Sequence, residues 1–237
     1  MSSLLDAAIM SPKFAAMLFC LTAVCSADLS AQNSVQTEGD RDYRDSRNQS
    51  LLQSVEGYHF NLDVQMLLRG QNGAEYPGPD LKFVLRYFPN HPGALDAMGR
   101  LWHRYRNSVR SVPPRLEGYQ NADYYFTRAS NFAPDDGVVR MLYGAYLLRS
   151  GRNDQALIQY EASLDLEPKS PEVHYNAGLF FVAFGDHERA IESAKFAYEA
   201  GFPLPGLRNK LMKIGVWDGV VEKTPDRNHL DHQLTDK

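Results

Sequence analysis

The chain has 237 residues, a formal net charge of −4 at pH 7 and only two cysteines, Cys20 and Cys25. This length fits one domain with an ample hydrophobic core. The slightly acidic balance argues against nucleic-acid binding, which requires a basic surface. Both cysteines lie close to the N-terminus, so a chain processed beyond them would have neither disulfides nor thiol chemistry.

The N-terminal segment, 1–31, predicts an export signal. Lys13 precedes a short apolar run over 14–24, and small residues follow it up to Ala31. This order is typical of a secretory signal peptide, and the run is far shorter than the ~20 residues of a membrane-spanning helix. We therefore expect a periplasmic protein without a membrane span, cleaved after Ala27 or Ala31 and starting at Met1 or Met10. A lipid anchor on Cys25 is the alternative, although Val24 before it is larger than that processing site normally accepts.

The next two segments carry weaker signals. Residues 32–54 are polar and charged, which predicts disorder or a weak helix. Residues 55–91 predict a degenerate helical repeat, in which Asp80–Pro89 forms the second helix and Asn61–Leu68 forms its partner.

A regular period dominates the middle of the chain. Small residues and turn residues recur at one fixed interval, namely Gly144, Gly151, Ala156 and Pro168, then Gly178, Gly185, Ala190 and Phe202, with Pro203 one step late. The same interval counted backwards reaches Ala122, Phe126, Ala129 and Pro134. A period of about 34 residues indicates stacked helical hairpins. The small residues allow helices to cross closely, glycine ends a helix and proline starts the next one.

These positions resemble the tetratricopeptide repeat (TPR) family, as found in exported bacterial proteins. Residues 137–170 and 171–204 carry the family pattern, and a third copy, which starts near Pro92, is split by an insertion near 111–121. The resemblance implies an all-α fold, a short α-solenoid of antiparallel helical hairpins. About three repeats would cover 92–204, followed by a capping helix over 205–217 and a polar tail over 218–237.

The resemblance also implies a concave groove lined by the first helix of each repeat. The second, fifth, ninth and twelfth residues of each repeat would face it: Gly93, Asp96, Arg100 and His103, then Val138, Met141, Ala145 and Leu148, then Glu172, Tyr175, Leu179 and Val182. Arg104 lies one turn beyond Arg100 on the same helical face. Because arginine binds carboxylates through forked hydrogen bonds, an acidic or C-terminal peptide is one expected ligand.

Two readings of this groove stay open at the sequence level. The arginines either bind a ligand or form a solvated face paired with acids such as Glu161 and Asp165. The apolar residues Met141, Leu148, Leu179 and Val182 either contact a ligand or are covered by the tail or the N-terminal segment.

No set of residues predicts catalysis. His229 and His232 lie in the expected tail without a second metal-ligand cluster, and neither a metal nor a cofactor is expected. The sequence therefore predicts a non-enzymatic interaction module or scaffold of the bacterial envelope, whose partner is another protein or peptide. The alternatives are a structural subunit bound to a larger envelope complex through its outer surface, and a lipid-anchored envelope assembly factor.

Overall fold

The computed structural model describes residues 39–106 and 120–217, without the side chain of Arg106. These residues form ten α-helices and no strand, which confirms the predicted all-α class. None of these helices combines the length and the apolar character needed to cross a bilayer. The predicted signal peptide, most of the insertion near 111–121 and the tail over 218–237 lie outside the described residues.

The ten helices follow one another in a simple order. Their bounds are α1 Gln49–His59, α2 Leu62–Gln65, α3 Gly78–Tyr87, α4 Pro92–Arg106, α5 Ala122–Phe132, α6 Gly137–Arg149, α7 Asn153–Leu166, α8 Pro171–Phe184, α9 His187–Glu199 and α10 Gly206–Lys213. Helices α6 and α7 form one hairpin, and α8 and α9 form the next. Helix α4 lies beside α6, α6 beside α8, and α8 beside α10. The first helices of successive hairpins are therefore neighbours.

Small residues allow the two helices of a hairpin to approach closely. A Cβ atom added to Gly144 in α6 would lie 2.9 Å from two ring carbons of Tyr160 in α7. In α8, a Cβ added to Gly178 would lie 3.3 Å from the Cβ of Ser193 and 2.5 Å from a methyl carbon of Leu207. Real Cβ contacts are almost never shorter than 3.0 Å, so a larger residue at either position forces the neighbouring side chains or helices to move.

The helix ends follow standard capping chemistry. The side chains of Asp136, Ser170 and Asp186 accept hydrogen bonds from the backbone N–H groups three positions later, at the starts of α6, α8 and α9. Such N-caps stabilise a helix by about 1 kcal/mol. Gly185 directly follows α8, and its φ of +87° is the left-handed conformation that glycine adopts without strain.

The last helix, α10, lies within the predicted capping segment. Its buried Leu207 and Leu211 face α8 and α9. Its charged residues Arg208, Lys210 and Lys213 lie around the rest of its surface. The helix thus covers the end of the second hairpin.

The N-terminal hairpin differs from the sequence prediction. The partner of α3 is α1, and residues 61–68 form only the single turn α2. Helix α1 ends where Phe60 leaves the helical region, at φ −136° and ψ +40°. Asn61 then caps α2, and Leu67 reverses the chain with a φ of +57°. Val64 and Leu67, which gave this segment its helical spacing, are buried in the core although the helix is only one turn long.

The structure describes residues 39–54 of the segment for which the sequence predicted disorder or a weak helix. Helix α1 begins at Gln49, and its Leu52 and Val55 are buried. We call residues 39–48 the N-terminal strap. The strap lies against the turns before α4 and α6, where Arg41 donates its backbone N–H to the carbonyl of Tyr87 at 2.9 Å. The polar composition did not indicate this packing, because it depends on partners that are distant in the sequence.

Candidate functional site

The candidate site is the surface formed by α4, α6 and α8, which we call the first-helix face. Ala145, Leu148, Leu179 and Val182, predicted for the groove, are half-buried and pack against the core. They belong to the neighbouring helices α6 and α8. We call these four partly exposed residues the apolar strip.

An ion-pair cluster lies beside the strip, where α4 meets α6. One oxygen of the Asp96 carboxylate accepts a hydrogen bond from Nε of Arg100 at 2.7 Å. Its other oxygen accepts one from the guanidinium of Arg149, on α6, at 3.4 Å. About a third of each of these three side chains is exposed. Two arginines therefore share one aspartate, and the Arg149 contact is the longer of the two.

The arginines of α4 also hold the N-terminal region. Arg100 donates a second hydrogen bond to the carbonyl of Gln65 at 2.9 Å, and Arg104 donates one to the carbonyl of Leu67 at 3.0 Å. These carbonyls lie at the C-terminal end of α2, where the helix leaves its last carbonyls without helical partners. Of the two readings of the basic end, the structure favours internal pairing for Arg100 and Arg104, although with Asp96 and backbone carbonyls instead of Glu161 or Asp165.

Two predicted groove residues are buried instead. Met141 is 3% exposed and belongs to the core. Tyr175 is 7% exposed, and its ring lies 4.5 Å from that of Phe202, in the segment that follows α9. That segment folds back over α8, so Gly206 lies against the Tyr175 hydroxyl. Arg104 is exposed and His103 is half-buried.

The strap makes its polar contacts with residues outside the apolar strip. Arg44 of the strap pairs with Asp42 at 2.7 Å and with Asp135 at 3.0 Å. The buried side chain of Asn90 donates hydrogen bonds to Asp42 at 2.8 Å and to Asp136 at 3.1 Å. Burial alone would raise the pKa of Asp42, but hydrogen bonds from Arg44 and Asn90 outweigh it and lower this pKa to about 2. These contacts lie at the turns before α4 and α6.

A second polar cluster joins α5 to the α6–α7 hairpin. The carboxylate of Asp123 accepts hydrogen bonds from the hydroxyls of Tyr143 at 3.0 Å and Tyr146 at 3.2 Å. It also pairs with Arg152 at 2.6 Å. Burial and the nearby carboxylate raise the pKa of both tyrosines, so their hydroxyls stay protonated donors. The cluster is satisfied internally and has a structural role.

Two further pairs tether α1. His59 lies 2.8 Å from Asp80 of α3, and Glu56 lies 3.0 Å from His91, just before α4. Within residues 39–106 and 120–217, no three histidine, cysteine or acidic side chains are grouped as a metal site would require. His229 and His232 lie outside this range.

Sequence reasoning missed Arg149. It is the thirteenth residue of its repeat, directly after Leu148, and the predicted positions ended at the twelfth. Including the thirteenth residue of each repeat among the groove positions would have identified Arg149. The same position in the preceding repeat is Arg104.

No protein-family model matches the chain, and no curated protein shows significant sequence similarity to it.

Proposed function

We propose that this chain is a non-enzymatic, TPR-like scaffold that binds a peptide or protein segment on its first-helix face. The observation that carries this proposal is the apolar strip on α6 and α8, flanked by the Asp96 ion-pair cluster. Apolar contacts supply affinity to such an interface, and a few placed charges fix the orientation of the partner.

The charges favour a partner segment with an acidic group near α4. Arg149 is the arginine of the cluster that a ligand can recruit, because its hydrogen bond to Asp96 is 3.4 Å long and partly exposed. Exposed ion pairs of this kind contribute little stability, so exchanging Asp96 for a partner carboxylate costs little. Arg100 and Arg104 are less available, since both hold the end of α2.

The proposed compartment is the bacterial periplasm, reached through removal of a signal peptide that ends at Ala27 or Ala31. The alternative is an envelope protein anchored by a lipid on Cys25. Mass spectrometry of the protein purified from the envelope distinguishes them. A free N-terminus at Asp28 or Gln32 supports soluble export, whereas a lipidated Cys25 supports the anchor.

Site-specific photo-crosslinking tests the binding face. A photoreactive amino acid at position 148 or 179 samples the first-helix face, and one at position 158 samples exposed Ile158 on α7. We expect one partner to crosslink from 148 and 179 and not from 158. The same crosslinks should weaken in the Arg149→Glu variant and persist in Lys195→Glu, which makes the same charge change at an exposed position of α9.

Other results would contradict the proposal. A partner captured from position 158 alone would place binding on the outer surface, as expected for a structural subunit of a larger complex. If crosslinks from 148 and 179 are equally strong in Arg149→Glu, the partner binds the apolar strip. The proposal that it carries an acidic group for Arg149 would then be wrong.

A further inference from the structure

The two ends of the described fold expose large apolar side chains. At the N-terminal end, Tyr58, Leu62, Met66 and Leu68 are each more than half exposed; we call them the N-terminal patch. At the C-terminal end, Leu204, Met212 and Ile214 are between 43% and 57% exposed; we call them the C-terminal patch. Clustered exposed apolar side chains mark interaction sites more often than single ones do.

The C-terminal patch lies on and beside α10, the last helix of the described residues. Helices α6 and α8 are each followed by a second helix that packs against them, namely α7 and α9. Helix α10 packs against α8 and α9 through Leu207 and Leu211, and up to Trp217 no second helix follows it. Repeat arrays gain stability from the interface between neighbours, so the exposed apolar side chains of the last described helix are a place for another unit to add.

The N-terminal patch is held in a fixed shape. Arg100 and Arg104 bind the carbonyls of Gln65 and Leu67, and Leu68 donates its N–H to the carbonyl of Asp63 at 2.9 Å. Leu67 adopts a left-handed conformation that buries its own side chain, between the exposed Met66 and Leu68. This backbone conformation is costly for a leucine. A rigid apolar surface loses less entropy on binding than a mobile one.

The two ends carry opposite charge. Residues 200–217 contain Arg208, Lys210 and Lys213 and no acidic residue. Residues 49–76 contain Glu56, Asp63 and Glu75 against the single Arg69. The nearby Arg100 and Arg104 keep their positive charges in their hydrogen bonds to backbone carbonyls, and Arg100 also pairs with Asp96. With these three residues counted, the N-terminal end keeps a net charge of −1. Opposite charges favour the approach of one end to the other and disfavour contacts between like ends.

We propose that the C-terminal patch of one copy of this chain docks on the N-terminal patch of a second copy. The contact joins two different surfaces, so each dimer keeps one free patch of each kind and longer assemblies form as concentration rises. This self-association is independent of the partner proposed for the first-helix face.

Sedimentation velocity with two variants tests this arrangement in the full mature chain. Leu62→Ser/Met66→Ser disables the N-terminal patch, and Lys210→Glu/Lys213→Glu disables the C-terminal patch. All four residues are exposed, so both variants should keep the helical content of the wild type. We expect the wild type to form dimers and larger species, and each variant alone to self-associate at least about tenfold more weakly, a change of about 1.4 kcal/mol.

Mixing the variants gives the decisive result. An equimolar mixture should restore dimers with wild-type affinity and form nothing larger, because only one intact pair of patches exists per dimer. Lys195→Glu, the matched charge change on α9, should associate like the wild type.

Several outcomes would overturn the proposal. One is a wild type that stays monomeric at every concentration. Another is a mixture that associates no better than its components, which would indicate contacts between like ends. A third is a monomer that assembles only after deletion of 218–237, because the tail would then be the natural occupant of the C-terminal patch.

Discussion

The two halves of the described fold are held together in different ways. The α6–α9 hairpins rely on the shape of small and large residues at repeated positions, such as Gly144 against Tyr160. The region from the strap to α4 relies on individual polar pairs, such as Asn90 with Asp42 and Glu56 with His91. Shape-based packing recurs along the chain and is visible in its sequence, whereas each polar pair occurs once. The two halves should therefore respond to different perturbations.

The largest effect should come from overpacking the first hairpin. Gly144→Leu places side-chain atoms where the buried Tyr160 ring lies, and we expect it to lower the free energy of unfolding by about 3 kcal/mol or more. Chemical denaturation followed by circular dichroism measures the change. The matched control is Gly57→Ala in α1, where nothing lies within 4 Å of the added Cβ, and it should stabilise by about 0.5–1 kcal/mol. A similar change in the free energy of unfolding for both variants would show that close packing at Gly144 is not what stabilises this hairpin.

The polar half should be most sensitive at Asn90. Its side chain is fully buried and also accepts the backbone N–H of Tyr43 at 3.3 Å. Asn90→Ala removes donors from Asp42 and from buried Asp136, so we expect a loss of about 2 kcal/mol. Asn209→Ala, at an exposed position of α10, should change stability by less than about 0.5 kcal/mol. An equal result for both asparagines would show that the strap contributes little.

Acid should weaken the tether between α1 and α4. His91 accepts the N–H of Ala94 through Nδ1, so its Nε2 donates to Glu56 while the ring is neutral. Burial lowers the pKa of His91, and the Glu56 contact offsets this only partly. The folded protein therefore binds fewer protons on this residue than the unfolded chain, and the stability contributed above pH ~6.5 is lost as the pH falls below it.

Urea denaturation between pH 8 and pH 5.5 measures this dependence. If unfolding is coupled to the uptake of one proton by His91, the free energy of unfolding changes by at most about 1.4 kcal/mol per pH unit. His91→Asn keeps an acceptor for the N–H of Ala94 but cannot titrate, so its stability should fall less with acid than that of the wild type. Parallel pH profiles for the two proteins would exclude His91 as the sensitive group.

The smallest stability effect should be at the candidate binding face. Arg149→Ala removes one long, partly exposed contact with Asp96, so we expect a change within about 0.5 kcal/mol. Thermal or chemical denaturation provides the measurement, and the variant should still lose affinity for an acidic partner. A large loss of stability would instead make Arg149 a structural residue.

The sequence predicted the repeated part of the fold better than the rest. Gly144, Ala156 and Pro168 mark helix crossings and ends that depend on local geometry, so their spacing alone indicates the hairpins. The strap could not be predicted, because the charges that look suited to water find partners such as Asn90 and Asp136 only after folding. Composition alone does not distinguish such charges from those of a disordered segment.

The candidate site was predicted only in part. The positions of Leu148, Leu179 and Val182 on their helices indicated partial exposure. Met141 and Tyr175 have the same helical spacing but are buried, and the segment after α9 covers Tyr175. The length and path of that segment are not encoded in the repeat itself.

The strap also has a consequence for how the chain folds. In an array of hairpins most contacts are local, so folding can start in any repeat and spread to its neighbours. The strap adds contacts between residues far apart in the chain, such as Arg44 with Asp135 and Arg128 with Asp40. Closing such long loops is slow and occurs late, after the intervening hairpins have formed. The strap thus links the unfolding of the N-terminal hairpin, α1 with α3, to that of the α5–α6 turn, so that this part of the array opens as a single cooperative unit.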